Sequence, residues 1–61
     1  MTLGSIPFDG LFAVYERREN GELPRVLFGF APDDIPEKYR SAEVIRLYPF
    51  DDSIIVEVKE V

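Results

Sequence analysis

The 61-residue chain carries seven Lys+Arg against twelve Asp+Glu, a net charge of −5, and contains neither cysteine nor histidine. Those absences exclude a disulfide framework, thiolate zinc cages, imidazole metal sites and His-dependent Ser or Cys triads. The acidic balance opposes binding to nucleic-acid phosphates and to anionic membranes.

Hydrophobic residues make up 46% of the chain, including five Phe and three Tyr. That supplies the core of one small domain over residues 1–61, although a core of this size rarely gives more than about 3–5 kcal/mol. Either the packing is unusually good or a partner adds stability. No apolar run approaches the roughly 18 residues of a membrane span, and no basic leader precedes an apolar stretch. The expected compartment is the cytoplasm.

Residues 1–10 contain Gly4, Pro7 and Asp9-Gly10, and read as an irregular N-terminal arm whose Ile6 and Phe8 could cap a sheet edge or add a short strand. The first hairpin follows, with strands at about 11–18 and 25–30 around Asn20-Gly21, the strongest short hairpin signal. A two-residue type I′ loop pairs Leu11 with Phe30, Ala13 with Phe28 and Tyr15 with Val26 on an inner face, and Glu16 with Arg25 on the other. A rival register, with Glu19-Asn20-Gly21 as a three-residue loop, turns Phe12 and Val14 inward and sets Tyr15 opposite Arg25. The Glu16/Arg25 pair favours the first. Pro24 disturbs both, because it lacks the N–H that a ladder needs, so a bulge or frayed end is expected there.

Ala31 to Ala42 joins the hairpins. Asp34 and Glu37 have the spacing of a capping box, which predicts a helical turn at about 34–40 with Ile35, Tyr39 and Ala42 on its docking stripe. The second hairpin has strands at about 43–50 and 53–60 around Asp51-Asp52. Its expected pairs are Ile45 with Val58, Leu47 with Val56 and Arg46 with Glu57. The fold class is therefore mostly β, α+β at the margin: a small antiparallel sheet of two hairpins, either half-covered or curled towards an SH3-like barrel.

No catalytic or ligand-binding signature stands out, and no cofactor is implied. Asp33, Asp34 and Glu37 are the densest carboxylates, but they lack the spacing of a calcium loop and suit a turn and cap. Asp51 and Asp52 suit a hairpin tip. The second sheet face, which also takes Leu23, is more apolar than a solvated one should be: Phe12, Val14, Leu27, Val44, Tyr48 and Ile55 stand there beside Arg25 and Arg46. Covering by the crossover, or by barrel closure, accounts for it slightly better than exposure as an interface does.

Three functions compete. The first is a non-enzymatic protein-binding module, an accessory subunit or inhibitor whose partner is another protein or a second copy in a homodimer, reached through those eight residues. The second is a nucleic-acid mimic whose acidic surface includes Asp33, Asp34, Glu37, Asp51 and Asp52. A carboxylate-dependent, metal-assisted enzyme ranks last. Direct binding of nucleic acid or membrane is not expected.

Overall fold

The structure, a computed structural model, describes residues 1–61. Four strands, β1 (Phe12–Arg17), β2 (Arg25–Gly29), β3 (Val44–Phe50) and β4 (Ser53–Lys59), form one sheet. A 3-10 turn at Leu3–Ser5 precedes them, and the crossover from β2 to β3 holds a second one at Pro32–Asp34 and the single helical turn α1 (Glu37–Arg40). The fold is mostly β, built from the two hairpins the turn signals predict.

The strand order is β2-β1-β4-β3. Each hairpin is antiparallel, but the hairpins join through β1 and β4, which run parallel. The sheet is thus mixed where an antiparallel one was expected. β2 and β3 are not bonded to each other, so it stays open rather than closing into a barrel.

This topology requires the crossover to cover one face of the sheet. β2 and β3 lie at opposite edges and point the same way, so the chain leaving Gly29 must cross β1 and β4 diagonally before β3 can begin. A crossover of this kind needs about a dozen residues or more, and it lays Ile35, Tyr39 and Ala42 on the sheet. The N-terminal arm runs over the same face in the opposite direction. Thr2 bridges Glu43, Leu3 N–H donates to the Ala42 carbonyl at 2.9 Å, and Val44 N–H donates to the Met1 carbonyl at 2.9 Å. The arm is therefore bonded to the start of β3 through Thr2 and its neighbours, while Leu3 and Phe8 are buried under it.

Beneath these covers lie Phe12 and Val14 of β1 and Val56 and Val58 of β4, all fully buried. The parallel register sets Phe12 beside Ile54, Val14 beside Val56 and Glu16 beside Val58, so one row of each central strand faces the core. Phe8 stacks on Phe12 with ring centroids 4.1 Å apart. Gly29, opposite Phe12, has no room for a side chain: a Cβ there would stand 2.7 Å from Asp34 Cβ and 3.0 Å from the Phe12 ring.

The first hairpin uses both expected registers in succession. Phe12/Gly29, Ala13/Phe28 and Val14/Leu27 follow the two-residue-loop register, whereas Tyr15 faces Arg25 as the rival has it. The slip leaves Val26 as a bulge two residues from Pro24, whose carbonyl accepts the Glu16 N–H at 3.0 Å. At the tip, Arg18 N–H donates to the Glu22 carbonyl and Gly21 sits at φ +90°. Asn20 is not in the left-handed region, so the type I′ turn does not form. Instead Asn20 Oδ1 accepts the Glu22 N–H at 2.9 Å, closing a three-residue loop through its side chain.

The bulge also overturns the expected Glu16/Arg25 pair, because it sends the two residues to opposite faces. Glu16 is buried at the edge of the core, accepting from Arg18 Nε and the Val61 N–H at 3.1 Å each. In the second hairpin Leu47/Val56, Arg46/Glu57 and Phe50/Ser53 pair as expected. Val44 rather than Ile45 faces Val58, since Ile45 is extruded as a bulge.

The crossover differs from the capping-box expectation in one respect. Asp34 ends the 3-10 turn rather than starting α1, and its carboxylate reaches back to accept the Phe30 and Ala31 N–H groups at 2.8 and 3.2 Å. Those two bonds hold its pKa below the ordinary carboxylate value. The Val61 N–H does the same for Glu16, and Lys59, 2.9 Å from Glu43, for that residue.

A depressed folded pKa stabilises above the unfolded value, about 4 for these groups, and that contribution is lost as pH falls through the folded value. The urea midpoint should therefore hold from pH 7 to about 5 and fall below about pH 4. Asp34→Asn should flatten the fall. An Asp34→Asn profile with the same acid slope as the parent would contradict the assignment.

Candidate functional site

The crossover and the arm lie on one face of the sheet, and no segment of residues 1–61 lies across the other. That open face carries Tyr15 and Arg17 from β1, Arg25 and Phe28 from β2, Arg46, Tyr48 and Phe50 from β3, and Ile55, Glu57 and Lys59 from β4. Phe28 and Phe50 are 54% and 61% exposed, and Phe30, edge-on to Phe28 with centroids 6.3 Å apart, is 64% exposed. The whole accessible surface is 4153 Å². A folded chain of 7.0 kDa should expose about 4,000 Å². The chain is therefore not loosely packed, and five of its nine exposed large hydrophobics, Leu23, Phe28, Phe30, Tyr48 and Phe50, stand on this side.

A shallow trough of about 240 Å³ runs across this face, lined by Tyr15, Leu23, Tyr48, Phe50, Ile55 and Glu57. Pockets for drug-sized ligands are usually about 300–1,000 Å³. This one is nearer the size of a single inserted side chain.

At the centre of the face stands the one carboxylate it contains. Glu57 is only 3% exposed, because the Arg17 guanidinium reaches over it from β1 and that of Arg46 from β3. The Arg46 contact is 3.8 Å; Arg17 donates through Nη2 to Glu57 Oε1. Both arginines remain more than half exposed. Ion pairs with exposed partners contribute about 0–1 kcal/mol, so the main consequence is positional: two guanidinium groups are fixed among the aromatic side chains of this face. Two more contacts order cations over aromatic rings, Arg25 above Phe28 at 5.5 Å and Arg46 above Tyr48 at 5.2 Å.

The eight residues expected to form an interface divide between the two faces. Phe12 and Val14 are fully buried, and Leu27 and Val44 are half-buried and packed against the core, so these four belong beneath the covers. Arg25, Arg46, Tyr48 and Ile55 are on the open face. Tyr15, Arg17, Leu23, Phe28, Phe50 and Glu57 complete it. The rival register carried the missing signal, since setting Tyr15 opposite Arg25 places both on this side.

The acidic residues are dispersed. Asp9, Asp33, Asp51 and Asp52 lie towards the end where β1 and β4 begin, and Glu19 and Glu22 at the opposite end. Asp34 is turned onto its own backbone, and Asp33, Asp34 and Glu37 do not gather into a cation cage. No helix is long and apolar enough to cross a membrane. No protein-family model, curated protein or solved structure matches the chain.

Proposed function

We propose that this chain is a small acidic protein-binding module with no catalytic role of its own, acting as an accessory subunit or inhibitor of a larger protein. The observation that carries the reading is the uncovered sheet face, where large aromatic side chains stand exposed between ordered arginines. Aromatics and Arg are the residues enriched at interface centres, where they bury much area at low entropic cost. Both sheet edges are poorly suited to strand addition. β2 is short and bulged, and β3 carries Pro49 and is bonded at its start by the N-terminal arm. The face, not an edge, is the surface left for recognition.

Photocross-linking in the native cell tests this by position. Benzoylphenylalanine placed at Phe28 or Tyr48 should yield one discrete cross-linked protein, and the same probe at Glu37, on the exterior of the cover, should not. Cross-links of equal yield from all three positions, or none from Phe28 and Tyr48, would overturn the assignment.

A further inference from the structure

The open face has a charge opposite to that of the molecule. Arg17, Arg25, Arg46 and Lys59, four of the seven cationic side chains, stand on it with Glu57 as its only carboxylate, although the chain as a whole carries −5. Glu57 neutralises one of the two guanidinium groups over it, and Glu43 holds Lys59 from the margin. By count the face keeps a cationic excess: Arg25 has no carboxylate partner, and Arg17 and Arg46 share the single charge of Glu57. These cations flank a trough sized for one side chain.

Resting on the protein-binding reading above, we propose that the trough receives a short acidic segment of a partner protein, one in which an aromatic or large aliphatic side chain is bordered by one or two carboxylates. The apolar side chain fills the space between Tyr15, Tyr48 and Ile55, and the carboxylates meet Arg25 on one side and Arg46 on the other. Guanidinium–carboxylate contacts of this kind are charge-assisted and directional. Arg25 and Arg46 are already ordered over Phe28 and Tyr48, so little freedom is lost when they engage.

The same charges weigh against the other occupants. A second copy stacked face to face would bring the two sets of arginines together across the interface, and like charges so placed oppose the contact. A nucleic-acid strand is longer than the face and must leave it past carboxylates, with Asp51 and Asp52 at one end and Glu19 and Glu22 at the other. Their repulsion acts over a screening length of about 8–10 Å, comparable with half the width of a molecule 31 × 25 × 17 Å. A short extended segment, at about 3.3 Å per residue, spans the distance between Arg25 and Arg46 without reaching those carboxylates.

Selection from a phage library of random twelve-residue peptides against the immobilised chain tests this. Enriched peptides should place Phe, Tyr, Leu or Ile next to Asp or Glu. A synthetic representative should bind at least about tenfold more weakly to Arg25→Glu and to Tyr48→Ser, at equal fold by circular dichroism, and more weakly as salt rises. Binders that depend on Tyr48 but carry no acidic residue would overturn the charge assignment and leave the protein-binding reading standing. If no peptide depends on either residue, both fail. Tighter binding of a fifteen-nucleotide oligo(dT) than of any selected peptide would replace the proposal with single-stranded nucleic acid.

Discussion

Phe12→Ala should leave the chain unfolded in water at 25 °C. Removing a fully buried phenylalanine costs about 3–5 kcal/mol, and the whole stability of a core this small is about the same. Phe12 carries more contacts than its size alone implies: it stacks on Phe8 of the arm, lies against Gly29 of β2 and sits beside Ile54 of β4. Its loss disconnects three segments at once. Phe28→Ala, on the opposite face, should change stability by less than about 1 kcal/mol, because that ring is already mostly in water. Urea titrations followed by circular dichroism measure both. Equal losses for the two variants would contradict the division of the sheet into a covered and an open face.

Leu3→Ala has the second largest expected effect, about 2–5 kcal/mol. Residues near a chain end are usually dispensable, yet Leu3 is fully buried and its N–H is bonded to Ala42. The arm and the crossover hold each other down: the Thr2/Glu43 bridge and the Val44–Met1 hydrogen bond anchor the segment whose side chain closes the core. Amide exchange at Leu3 and Val44 should accelerate in the variant by the same factor as global unfolding. A loss below about 1 kcal/mol, with exchange faster only at Leu3, would mean that the arm is an ornament on the core rather than part of it.

The second hairpin was largely legible because its signals agree. A two-residue loop, alternation over Val56 to Lys59 and the Arg46/Glu57 pair all select one register. The first hairpin offered no such agreement. Its two rows, Phe12/Val14/Leu27 and Ala13/Tyr15/Phe28, are both apolar, so pairing energy does not say which row faces the core. The two-residue loop predicts Ala13, Tyr15, Phe28 and Phe30 on the inner face; in the structure that row belongs to the open side, with Ala13 buried among its neighbours.

What decides the matter is not local. β4 lies parallel to β1, which puts β2 and β3 at opposite edges and makes the crossover span the sheet, and its Ile35, Tyr39 and Ala42 pack on the Phe12 side. No turn or alternation within either hairpin encodes that pairing. The ion pair of Arg17 with Glu57 was hidden for the same reason, since the two residues are brought together only by the parallel pair.

The central claim is that an acidic chain with two apolar sheet faces covers one and leaves the other, bearing arginines and aromatics, open for recognition. Solvent paramagnetic relaxation of side-chain resonances, with a neutral gadolinium chelate as probe, tests it most directly. The account predicts strong relaxation of the Phe28, Tyr48 and Phe50 rings and little for Phe12, Val14, Val56 and Val58, at a concentration where light scattering gives a monomer. Protection of Phe28, Tyr48 and Phe50 to the level of Phe12 in that monomer would contradict it.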